Sequence, residues 1–93
     1  MDWTHGSAEA TFDLHGQSVV EAAGSAEQFL RVQARVRPGR VARLITGRGR
    51  AGGGAPLRTR VRTLLRNLKT RGTLVQDFIL EDSDGSFLVL LGR

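Results

Sequence analysis

The chain has 93 residues, no cysteine and a formal net charge of +5, with a pI near 11.5. That length supports one domain with a single modest core, and the lack of thiols excludes a disulfide framework and a thiolate metal site. The longest apolar runs, such as Phe87 to Leu91, are too short to span a bilayer, and Met1 to His5 lacks a signal peptide's basic-then-apolar layout. A cytoplasmic protein with no membrane partner is therefore expected.

The charges fall in blocks. Arg31 to Arg71 holds 13 of the 14 basic residues and no acid, while five of the nine acids precede it and four lie between residues 77 and 84. A stretch without internal compensation suits a polyanion, and DNA or RNA is the expected partner. An acidic protein surface is the alternative.

Residues 1–8 are small, polar and without period, which predicts a flexible arm with Trp3 resting on the body; the single domain is expected over 9–93. Glu9 to His15 alternates, with Phe12 and Leu14 on one face and Thr11, Asp13 and His15 on the other, the period of a half-buried strand. Gly16 ends it. His15 can serve as general acid or base, hold a phosphate oxygen, or fix a turn through its ring. Asp13 can orient the imidazole, ligate a divalent ion, or accept main-chain N–H groups at a turn.

Ser18-Val19-Val20-Glu21 is a capping box, and Val19, Ala22, Ala23, Ala26, Phe29, Leu30 and Ala34 then share one helical stripe. Pro38-Gly39 closes this helix. Val41 to Ile45 is almost wholly apolar, as suits a strand covered by helices or interior to a sheet.

The loop after it holds five glycines in eight positions, 47 to 54, together with Arg48 and Arg50. Its backbone can approach a ligand without a Cβ in the way. The helix expected from Pro56 adds unpaired N–H groups and the positive end of a dipole, so the segment suits a phosphate. Thr46, Gly47, Arg48, Gly49 and Arg50, with Arg58 and Arg62 on the helix, are the candidate phosphate-binding residues. Gly47 to Gly52 also fits G-x-G-x-x-G, but no acid stands at 65–73 to hold a ribose, and no nucleotide cofactor is expected.

Leu57, Val61, Leu64, Leu65 and Leu68 mark the clearest helix, with Gly72 as its C-cap. Its exposed side divides into a basic stripe, Arg58, Arg62, Arg66 and Lys69, and a neutral one, Thr59, Thr63, Asn67 and Thr70. Leu74 to Glu81 and Ser86 to Leu91 read as strands joined by the turn Asp82-Ser83-Asp84-Gly85. The order β-α-β-α-β-β predicts an α/β two-layer sandwich: a mixed four-stranded sheet with both helices on one face, which is what the two amphipathic stripes need. In such a sheet the His15 and Gly47 strand ends share an edge.

Thr11-Phe12-Asp13-Leu14-His15-Gly16, followed at a distance by Ile45-Thr46-Gly47-Arg48-Gly49, resembles the Smr (small MutS-related) domain in its stand-alone form. Phe12 stands where that family usually has leucine, and Thr46-Gly47-Arg48-Gly49 is the Thr form of its second motif. The resemblance covers about residues 10–93. It implies a fold similar to the C-terminal domain of translation initiation factor 3, binding to DNA or RNA and, in a number of members, nicking or endonuclease activity. It also implies that Asp13 and His15 are the catalytic residues. Metal-dependent nucleases converge several carboxylates; here only Asp13 is well placed, so Mg2+ or Mn2+ remains an open cofactor. A non-catalytic DNA- or RNA-binding module, or an adaptor for an acidic protein, stays open beside the nuclease.

Overall fold

The computed structural model describes residues 2–47 and 54–93. The element order is β1 (Ala10–Asp13), α1 (Val19–Val36), β2 (Val41–Ile45), α2 (Gly54–Arg71), β3 (Val75–Leu80) and β4 (Ser86–Leu91). The strands form one mixed sheet in the order β1-β2-β4-β3. β1 runs parallel to β2, with Phe12 beside Leu44, whereas β4 lies antiparallel to both β2 and β3. The last strand is therefore interior, which accounts for its unbroken apolar run: Phe87, Leu88, Val89 and Leu91 are all fully buried.

Both helices pack on the same side of the sheet and against each other. Ala22, Ala26 and Leu30 of α1 meet Leu57, Val61, Leu65 and Leu68 of α2 over a floor of Ala42, Leu44, Phe87 and Val89. Phe12 and Phe29 stack with centroids 5.1 Å apart, which ties the edge strand β1 to α1. The expected two-layer α/β sandwich is the fold observed.

Local chemistry sets the helix ends. Ser18 Oγ accepts the Glu21 N–H at 3.1 Å, and Glu21 Oε1 accepts the Ser18 N–H at 3.0 Å, which completes the capping box. Gly72 takes a left-handed φ of 71°; its N–H reaches Lys69 O, and the Thr73 N–H reaches Leu68 O. These are the two bonds of a Schellman motif, so Gly72 is the C-cap that the sequence predicts. α2 starts at Gly54 rather than Pro56, which puts the proline inside the first turn, where its missing N–H costs no intrahelical bond. β1 is shorter than its alternating pattern, since after Asp13 only the Leu14 N–H still bonds β2, at Ile45 O.

The sheet face away from the helices carries Arg43, Ile79 and Leu88 in one cross-strand row. The segment before β1 meets this face. The Arg43 guanidinium donates to Gly6 O, the Glu9 N–H bonds Val41 O at 2.9 Å, and Glu9 pairs with Arg40 at 3.4 Å. Among the described residues, no helix is long and apolar enough to cross a membrane.

Candidate nucleic-acid interface

Four segments converge where β1 and β2 end: the turn after Asp13, Thr46-Gly47, the first turns of α2, and the β3–β4 turn. β2 stops because the Thr46 and Gly47 N–H groups both turn to one acceptor, Gly85 O, at 2.8 and 3.0 Å. Gly47 has a φ of 88°, a conformation that costs a residue with a Cβ about 1–2 kcal/mol. Thr46 is only 1% exposed, and its hydroxyl lies 3.3 Å from Gly47 O and 3.4 Å from Gly85 O. It supports the turn from beneath rather than standing on the surface.

His15 is exposed, and its Cδ2 lies 3.7 Å from where a Cβ would stand on Gly47. The two motifs, about 30 residues apart in the chain, are thus in side-chain reach of each other. Asp13 Oδ1 accepts the His15 main-chain N–H at 2.9 Å, so this carboxylate fixes the turn that presents the imidazole. Among the described residues the His15 ring has no hydrogen-bond partner.

α2 contributes two of the expected cations. Arg58 Nη1 donates to Asp84 O at 3.0 Å, which joins the helix to the β3–β4 turn whose Gly85 holds Gly47. One turn on, the Arg62 guanidinium lies 5.9 Å from the centroid of the buried Phe87 ring, a cation–π contact that leaves its N–H groups available. Arg48, Gly49 and Arg50 lie outside the described residues.

Folding redistributes the charge of the acid-free block. Arg31 pairs with Glu27, Arg40 with Glu9, Arg43 with Glu81 and Lys69 with Asp77, at 2.9, 3.4, 2.8 and 2.9 Å. Each acid comes from outside the block, so its compensation is tertiary and invisible to a count along the chain. The Arg43 and Lys69 contacts hold the Glu81 and Asp77 carboxyls below their ordinary values, and the Glu81 bond raises the Arg43 guanidinium. Among the described residues, Arg35, Arg37, Arg60, Arg62, Arg66 and Arg71 stand in no ion pair. The expected α2 stripe therefore keeps Arg62 and Arg66 for a partner but spends Lys69 on β3.

Asp13 is the only carboxylate at the His15 edge with a place in the motifs, and one of its oxygens is already used. Among the described residues, no group of three or more His, Asp or Glu side chains could hold a metal ion. The described donors alone do not make a protein cage for Mg2+ or Mn2+.

A two-helix, mixed-sheet α/β domain with a glycine turn, a histidine turn and arginines at one edge is the architecture of a nuclease-related nucleic-acid-binding domain. The Smr domain profile matches residues 12–92, and the chain belongs to that family. The fold is similar to the crystal structure of the Smr domain of Thermus thermophilus MutS2, with a TM-score of 0.72 and 30% identity over 90% of this chain and 99% of the other. No curated protein matches the chain by sequence.

Proposed function

We propose that this domain binds DNA or RNA by its phosphates and nicks it, with the scissile phosphodiester beside His15. The observation that carries the reading is the placement of the exposed imidazole against Gly47, at the edge where Arg58 and Arg62 leave α2. Arg48 and Arg50 belong to the same loop by sequence. Water attacks phosphorus and the bond to the leaving ester oxygen breaks. His15 takes the water proton or gives one to that oxygen, and Asp13 holds the turn that aims it. Few aromatic side chains are free to stack on bases, so contacts go chiefly to phosphate and sequence preference is weak.

One observation favours the second reading, a binding module without chemistry: the carboxylate that would orient the imidazole bonds the main chain instead. Supercoiled plasmid and labelled single-stranded RNA, each with Mg2+, Mn2+ or EDTA, separate the two. General acid–base help is worth about 10²–10⁴ in rate, so His15→Ala should lower cleavage by that factor while affinity stays near normal. Cleavage that survives both His15→Ala and Asp13→Ala refutes this assignment. Tight binding with no cleavage in any metal condition makes the domain a binding module.

A further inference from the structure

The end of the molecule away from His15 carries a second basic site. There the last turns of α1, the turn that follows α2 and the residues just after β4 form a cleft of about 400 Å³ lined by Arg31, Arg35 and Arg93 together with Gly72, Thr73 and Gly92. Its walls are fixed backbone. Gly72 and Thr73 form the Schellman turn, and the Gly92 N–H bonds Leu74 O at 2.8 Å. A Cβ on Gly92 would come within 3.2 Å of Leu74 N and C, so the strand and the turn are in close contact.

Among the described residues no Asp or Glu side chain lines this cleft. Arg31 shares its guanidinium with Glu27, whereas Arg35 and Arg93 stand in no ion pair among the described residues. Two helix C-termini point here, each worth about half a negative charge. Together with Glu27 and the α-carboxylate of Arg93 they roughly balance the three arginine charges, so what the cleft offers an anion is guanidinium geometry rather than net charge. The forks of Arg35 and Arg93, neither of them in an ion pair among the described residues, match the two free oxygens of a single phosphodiester.

We propose that this cleft is a second phosphate site, which engages the same strand that lies at His15. The proposal rests on the nucleic-acid reading above. α2 runs between the two sites, and its 18 residues span about 27 Å. At about 3.4 Å per stacked nucleotide, a strand of roughly eight nucleotides connects them. Arg66 is exposed on α2 and stands in no ion pair among the described residues. The domain therefore measures length: short oligonucleotides fill one site and longer ones fill both.

The test uses labelled single-stranded DNA and RNA of 4 and 16 nucleotides, read by anisotropy over a salt series. Each phosphate contact contributes about 0.7 to the slope of log K against log salt for single strands, so losing this one contact in Arg35→Ala/Arg93→Ala should lower the 16-mer slope by about 0.7. Binding of the 4-mer should not change, and Arg35→Lys/Arg93→Lys should recover much of the slope, which a folding defect would not allow. An unchanged 16-mer slope in the alanine variant, with the parent binding normally, overturns the second site alone. If the parent binds neither oligonucleotide in a salt-dependent way, the nucleic-acid reading fails and this proposal fails with it. Inorganic phosphate serves as the other arm. If it shifts the Thr73 and Gly92 amide resonances and the 16-mer does not, the cleft takes a free phosphate and the strand assignment is overturned.

Discussion

Glu81→Gln tests how the sheet face away from the helices is held. Glu81 accepts from Arg43 Nε at 2.8 Å, from Arg43 Nη2 at 3.1 Å and from Ser86 Oγ at 2.6 Å. The Arg43 and Glu81 side chains are 26% and 18% exposed, so neither is well screened by water. The amide keeps the shape but removes the charge, and it can accept at only one atom. Breaking a fully buried pair costs about 3–5 kcal/mol. Partial exposure discounts this, and about 1.5–2.5 kcal/mol is expected at pH 7, in the range of a hydrogen bond to a charged group. The pH dependence has a definite sign. Arg43 holds the folded-state carboxyl below the ordinary value of 4.5, so in acid the unfolded chain binds the extra proton. Stability from this group is fully present above pH 4.5 and is lost as pH falls through the lower folded value. Urea unfolding followed by circular dichroism at several pH values between 7 and 3 is the assay. The variant should lose stability at neutral pH and show a shallower acid limb than the parent. A cost below about 0.5 kcal/mol, or an acid limb as steep as the parent's, would mean that this contact is no better than a surface ion pair.

Two further outcomes follow from packing. Leu65 is fully buried between the helices and the sheet, so Leu65→Ala should cost about 2–5 kcal/mol in the same unfolding assay, and Leu64→Ala somewhat less because Leu64 is 7% exposed. Gly92→Ala forces a Cβ to within 3.2–3.3 Å of Leu74 N, Cα and C, backbone atoms that cannot rotate away; a loss of about 1–3 kcal/mol is expected in thermal or urea unfolding, and a neutral result would show that the β4 end and the Leu74 turn move apart easily.

Most of the architecture is written in local patterns that tertiary context has no reason to override. The capping box at Ser18, the leucine period of α2 and the Asp82–Gly85 turn each place an element to within about two residues, because each depends on chemistry inside a short window. Strand order does not have that property. β4 enters between β2 and β3, and the only local trace of it is the run Phe87-Leu88-Val89-Leu90-Leu91, whose lack of alternation marks a strand covered on both faces. Leu88 is buried on the face that carries no helix, and residues 4–9, with Arg43 and Glu81, lie on that side. A segment of small polar residues without period gives no sequence signal for contacts such as those of Gly6 O and the Glu9 N–H, which run through its main chain.

The site was legible in its motifs and illegible in its charges. His15-Gly16 and Thr46-Gly47 could be placed at one edge because parallel strands joined by a helix must end on the same side of the sheet, and the 3.7 Å approach of His15 to the Gly47 position is what that topology requires. The arginines obey no such rule. Arg43 and Lys69 belong to the same acid-free block as Arg62 and Arg66, yet the fold returns a carboxylate to the first two from β3 and from Glu81 just beyond its end, and gives the others none among the described residues. What a ligand meets is the residue of that pairing rather than the block: cations at the His15 edge, Arg66 along α2, and Arg35 with Arg93 at the far cleft. Binding energy should therefore divide unequally among the 13 basic residues of the block. Neutralising a paired cation such as Lys69 should reduce nucleic-acid affinity less than neutralising Arg62, because Asp77 already answers its charge.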